Sequence, residues 1–159
     1  MITSFNKYNE SNINSKELIK IKGKIVFDPK DKTRKHKKQS SWKKIAMIVL
    51  EGDWCNYYSW FIKKRYNLDL NKPLRGPHIT FINDSYKDMG FGTIEEKEEK
   101  WQEVKEKWDG ENIDIYLELG LKTDGEHWWL KVSPKHRKIF KEIRTELGLG
   151  DPYWSLHMT

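Results

Sequence analysis

Asn112-Ile113-Asp114-Ile115-Tyr116-Leu117-Glu118-Leu119 decides the fold class. Ile113, Ile115, Leu117 and Leu119 fall at every second position. Side chains alternate across a strand, so this spacing describes a β-strand with one buried and one solvated face. Asp124-Gly125 follows as a hairpin-like turn, and His127 to Val132 is the expected partner strand.

Working outward, the next signals alternate between helix and strand. Ser133-Pro134 reads as a helix start, with Ile139, Phe140, Ile143 and Leu147 on the apolar face and Gly148 and Gly150 at the end. Residues 153–159 form a last strand. On the N-terminal side, Thr93 to Trp108 is rich in Glu and Lys with pairs such as Glu96–Lys100, which suits a solvated helix. The turn from Asn71 to Pro77 delivers a strand at 78–82. Asp53 is the expected cap of a helix reaching about Tyr66. Its stripe of Trp54, Tyr57, Tyr58, Phe61, Ile62 and Arg65 is assigned to core. Ile45 to Leu50 is a buried strand, and Lys24 to Phe27 a short one stopped by Asp28-Pro29. The basic run Lys30 to Lys44 is a long loop or the rim of a groove. Residues 1–20 are polar, a candidate flexible arm. The order implies one α+β domain over 1–159, with curved antiparallel sheet inside and helices outside.

The chain has 159 residues, 34% of them charged and 13% aromatic, with eight Trp and a net charge of +6. A globular domain with a charged surface fits these values, and the positive balance favours a polyanionic partner. Cys55 is the only cysteine, which excludes an intrachain disulfide and a thiolate metal cluster. No apolar run approaches a membrane span, so a cytosolic protein without a membrane partner is expected.

Two phrases carry the chemistry: Arg75-Gly76-Pro77-His78-Ile79-Thr80 and Trp154-Ser155-Leu156-His157-Met158-Thr159. On a strand, His78 and Thr80 share one face while Ile79 turns inward. His157 and Thr159 do the same around Met158. Two imidazoles can flank a phosphodiester, one neutral to take a proton and one charged to give one. Thr80 and Thr159 can donate to the non-bridging oxygens. This scheme needs no metal or other cofactor. Asp53, Asp84, Asp88 and Asp151 are too scattered for a two-metal site. Candidate substrate contacts are Trp42 in the segment Gln39 to Lys44, Arg75 three residues before His78, Glu126 and Trp128 at the hairpin, and Tyr153 ahead of the second phrase. Of Trp128 and Trp129, which point to opposite faces, one can be core and the other can stack on a base. The residues do not say which histidine is the base.

The paired His-x-Thr phrases resemble the signature of the two-histidine phosphoesterase superfamily. The longer phrases Lys24 to Asp31, Gln39 to Lys44, Asn71 to Thr80 and Gly125 to Leu130 look like its phage anti-CBASS branch. The resemblance spans most of residues 20–159. It implies a two-lobed fold with a cleft between the lobes and a metal-independent hydrolase. The implied substrates are cyclic di- and trinucleotides such as 3′,3′-cyclic GMP–AMP, opened by the ribose 2′-oxygen through a 2′,3′-cyclic phosphate. It implies His78, Thr80, His157 and Thr159 as the catalytic set. For a phage-encoded chain it places the protein in the host bacterial cytoplasm, with no stable nucleic-acid duplex partner. Superfamily members usually continue past the second motif, where this chain stops at Thr159; a terminal carboxylate there would oppose an anionic substrate. The alternatives are a two-histidine enzyme acting on RNA ends, either a 2′,3′-cyclic phosphodiesterase or an end-ligase, and a non-catalytic cyclic-nucleotide sponge.

Overall fold

The computed structural model describes residues 17–30, 44–73, 75–83, 89–152 and 155–158. Within them the chain is α+β, with a strongly curled antiparallel sheet and three α-helices. The strands are β1 (Leu18–Phe27), β2 (Ile45–Leu50), β3 (His78–Asn83), β4 (Asn112–Glu118), β5 (Lys122–Thr123), β6 (Trp128–Lys131) and β7 (His157–Met158). The helices are α1 (Trp54–Tyr66), α2 (Ile94–Trp108) and α3 (Lys138–Glu146). No helix among the described residues is long and apolar enough to cross a membrane.

β1 is longer than expected and lies inside the larger sheet, whose order is β3-β2-β1-β4. Its Ile21, Gly23, Ile25 and Phe27 turn inward while Lys20, Lys22 and Lys24 face out, the alternation of a half-buried strand. It begins at Leu18, so the polar arm does not extend to residue 20; residues 1–16 lie outside the described residues. β4 pairs along β1, not with the hairpin strand as expected. Its bridge to the chain beyond β6 is the isolated pair Leu117–Val132. The physical reason is length: ten residues of β1 offer β4 a full ladder, whereas β6 has four.

That bridge and the bond from the Ser133 N–H to the Tyr116 carbonyl join the larger sheet to the second one, ordered β5-β6-β7. The register between β2 and β3 shifts between Ala46 and Met47, opposite Ile82 and Thr80, so Phe81 is an extra residue. A bulge of this kind bends its strand and raises the local twist. The curl brings β7 back beside β3, with Cα atoms of the two strands within 8 Å. The strands that open the two motifs thus meet although they belong to different sheets.

The helices depart from expectation in instructive ways. α2 has the solvated face its charges predict, but it also buries Trp101 and Val104. Thr93 closes a capping box with Glu96 at its start. α1 occupies the expected span, yet its aromatic stripe is not core. Only Ile62 is buried, while Tyr57 and Trp60 are 52% and 58% exposed. Trp54 and Tyr58 pack partly against the core and line a cavity that α1 roofs, whereas Tyr57 and Trp60 are not in its wall. Asp53 is the N-cap residue, but its carboxylate takes Asn56 Nδ2 and makes no capping bond. Ser133-Pro134 starts a 3-10 turn over Pro134–His136, and α3 begins only at Lys138. His136 stacks on Tyr116 with ring centroids 3.9 Å apart.

Candidate functional site

The two motif histidines are held in the same way. His78 opens β3 and His157 opens β7, with the buried Ile79 and Met158 beside them pointing inward. The His78 Nδ1 donates to the Gly76 carbonyl at 2.8 Å, and the His157 Nδ1 donates to the Ser155 carbonyl at 2.5 Å. A carbonyl can only accept, so Nδ1 carries the hydrogen in both rings and Nε2 is left as the atom for chemistry. Gly76 turns the chain into β3 at φ +68, a backbone region that disfavours other residues. Each histidine is therefore oriented by a carbonyl two residues upstream, one after a Gly-Pro turn and one after Ser-Leu.

Burial is the main cause that holds the His78 pKa below its usual value. The charges of Arg75 and His157 push it the same way, and the bond to Gly76 opposes them. Neutral imidazole is thus the favoured form of His78. That His157 acts on His78 at all reflects how near the two motif strands lie.

Thr80 lies on β3 two residues from His78, partly exposed on the same face. Thr159, Trp42 and Tyr153 lie outside the described residues. Arg75, expected as a substrate contact, spends two of its nitrogens on the main chain: Nη1 binds the Lys30 carbonyl at 2.8 Å and Nη2 the Pro29 carbonyl at 3.1 Å. It ties the exit of β1 to the first motif while its charge bears on His78. Arg144 of α3 does comparable work from inside. Only 4% exposed, it binds the carbonyl of the bulged Phe81 through Nη1 at 2.9 Å and that of Gly150 through Nε at 2.6 Å. One guanidinium so joins the strand of the first motif to the segment leading into the second. Nothing in the sequence pattern marks Arg144, because its partners are main-chain atoms distant along the chain.

Glu126 and Trp128 come together, but not beside the histidines. They line a cavity of about 360 Å³ with Trp54, Tyr58, Ile62, Asp69, Lys72 and Met158, among others, and neither histidine is in its wall. Trp128 packs on Tyr66 at 5.2 Å. The indole near the motif is Trp129, whose ring centroid is 6.0 Å from that of His157. The ladder explains the exchange: Leu130 pairs with Met158 and Lys131 with His157, so the odd-numbered residues of β6 share the face of His157. Alternation in the sequence separates the two tryptophans but cannot say which one faces the histidine. At the hairpin tip, the Asp124 carboxylate accepts the N–H groups of His127 and Glu126, which pull its pKa down to about 2. Its other oxygen faces the His127 ring. His127 thus bonds within the turn and also lines the cavity.

Among the described residues, no group of three or more His, Cys, Asp or Glu side chains is placed to hold a metal ion. The pair of Nε2 atoms, with Thr80 beside one of them, is suited to moving protons at an anionic centre. Comparison with protein-family models, curated proteins and solved structures found no match to this chain.

Proposed function

We propose that the protein is a phosphodiesterase that hydrolyses 3′,3′-cyclic oligonucleotide messengers such as cyclic GMP–AMP, by metal-independent acid–base catalysis from His78 and His157. The observation that carries it is the matched bonding of the two histidines. Two imidazoles on neighbouring strands, each with Nδ1–H tied to the carbonyl two residues back, are a preorganised proton-transfer pair. The sequence resemblance supports the finer assignments: a two-lobed two-histidine phosphoesterase fold, service against CBASS defence, and action in the host bacterial cytoplasm.

In the first step His78, favoured in its neutral form, takes the proton from a ribose 2′-hydroxyl. The 2′-oxygen forms a bond to phosphorus, and the bond to the 5′-oxygen breaks. Protonated His157 gives its Nε2 proton to that leaving oxygen. In the second step the roles reverse. His157 deprotonates a water, which attacks the 2′,3′-cyclic phosphate, and His78 returns its proton to the departing 2′-oxygen. The product is a 3′-phosphate, and both histidines end as they began. Thr80 and Thr159 donate to the non-bridging oxygens as charge builds there.

The test is turnover of 3′,3′-cyclic GMP–AMP in EDTA by wild type, His78→Ala and His157→Ala. Wild type is expected to give linear products, and each variant to lose about 10²–10⁴-fold. Cleavage surviving in both variants removes the mechanism. Binding without cleavage makes the protein a sponge, and activity confined to 2′,3′-cyclic or broken RNA ends makes it an RNA-end enzyme.

A further inference from the structure

We infer that one face of the β5-β6-β7 sheet, carrying Lys122, Trp129, Lys131 and His157, recognises a substrate with a stacked base and at least two phosphates. The inference rests on the phosphodiesterase reading and states what the substrate carries beyond the scissile linkage. Residues directly opposite in an antiparallel ladder project to the same side, as do residues two apart on one strand. Lys122 pairs with Trp129, and Lys131 pairs with His157. Trp129 and Lys131 are two apart, so all four share a face. The other face carries Leu130 and Met158, 0% and 4% exposed, and is the core side. The four residues look away from it, Lys122 exposed and the others partly so.

The arrangement has the parts of a nucleotide site in order. Lys131 lies about 5 Å across the ladder from His157, backbone to backbone. A phosphate at the histidine is therefore within its reach. Trp129 is about 7 Å further along β6 and offers an indole face to the adjoining base. Lys122 lies across the ladder on the far side of Trp129, where the next phosphate falls. Ammonium groups serve here as point charges, indifferent to which non-bridging oxygen they meet. A 2′,3′-cyclic mononucleotide, with one phosphate and one base, leaves the Lys122 position empty. A cyclic dinucleotide fills all of them.

The experiment measures binding by tryptophan fluorescence for 3′,3′-cyclic GMP–AMP and for the linear dinucleotide GpA, which has one phosphate. A His78→Ala background is used so that turnover does not interfere. The cyclic ligand is expected to bind at least about tenfold tighter, with Lys122→Gln erasing that preference and leaving GpA within about twofold. Lys122→Gln and Lys131→Gln should each lower the salt slope for the cyclic ligand by about 1. Trp129→Leu should weaken both ligands by about 5- to 150-fold, and Trp129→Phe should recover most of that loss. If Lys122→Gln and Trp129→Leu bind like the parent while melting like it, the recognition surface is overturned. Turnover is followed in parallel with His78 intact. Binding with the expected dependence but no cleavage sinks the phosphodiesterase reading and leaves the surface standing. Cleavage with both substitutions silent does the reverse, and neither binding nor cleavage overturns both.

Discussion

Replacing Asp28 by alanine tests how the scaffold under the first motif is held. Asp28 follows β1 at φ 44, and its carboxylate accepts three bonds. These come from Trp101 Nε1 at 3.0 Å, Lys105 Nζ at 2.9 Å and the Lys44 backbone N–H at 2.6 Å. Burial by itself would raise the carboxyl pKa, but the three donors outweigh it and hold the group below its usual range. Alanine leaves the indole N–H of Trp101, a residue 1% exposed, without this acceptor, at a cost of about 1–3 kcal/mol. The lost bond to Lys44 adds about 1 kcal/mol. The ion pair to Lys105 is partly solvated and adds about 0.5 kcal/mol. A left-handed alanine costs about 1 kcal/mol more. The expected loss is about 3.5–5.5 kcal/mol. Asparagine tolerates the backbone and keeps an acceptor, so Asp28→Asn should lose only about 1–2 kcal/mol. Urea unfolding at pH 7, followed by circular dichroism, measures both. Equal losses in the two variants, or a loss below about 0.5 kcal/mol in alanine, would refute the reasoning. The sign with pH is also set. A carboxyl whose folded pKa is lowered stabilises the fold above its unfolded value of about 3.9 and stops doing so as pH falls through the folded value. The gap between wild type and Asp28→Ala should therefore narrow in acid, by the part that ionisation supplies.

Three further perturbations probe the site and its frame. Arg144→Met removes a buried guanidinium from the Phe81 and Gly150 carbonyls and should cost about 2–4 kcal/mol in denaturant unfolding; an unchanged midpoint would contradict its bridging role. Gly23→Ala drives a Cβ into Ile48 Cγ2 in the β1–β2 packing and should lower stability by about 1–3 kcal/mol, seen as a lower Tm. His78, with its pKa lowered mainly by burial, binds its proton less readily folded than unfolded. Stability should therefore rise with pH up to about 6.5. His78→Gln should flatten that rise in melts across pH 5 to 8, and an unchanged slope would show that His78 does not supply it.

Local patterns carried most of the elements. The apolar alternation of β4, the apolar run of β2, the Glu/Lys spacing of α2 and the Asp124-Gly125 turn each depend on neighbours along the chain, and each lies where its pattern puts it. The failures share a cause. The aromatic stripe of α1 has helical spacing, but which members pack depends on what lies beneath: Trp54 and Tyr58 reach the core and a cavity beside it, and Tyr57 does not. β4 chose β1 over the nearby hairpin because a longer ladder was available from a distant strand. The start of β1 was legible in Ile19-Lys20-Ile21-Lys22 but obscured by the polar residues before it.

For the site, the sequence by itself determined the chemical units: two His-x-Thr phrases, each with its histidine on the opposite strand face from a buried apolar residue. That follows from strand periodicity, a property of the backbone. Tertiary structure alone decided that the strands carrying His78 and His157 lie side by side, because the curl of the sheet brings β7 beside β3. It also decided that Trp129 and not Trp128 faces His157, since ladder register is set between strands. Finally, it gave His78 a burial that favours the neutral imidazole, because desolvation comes from everything packed around the ring.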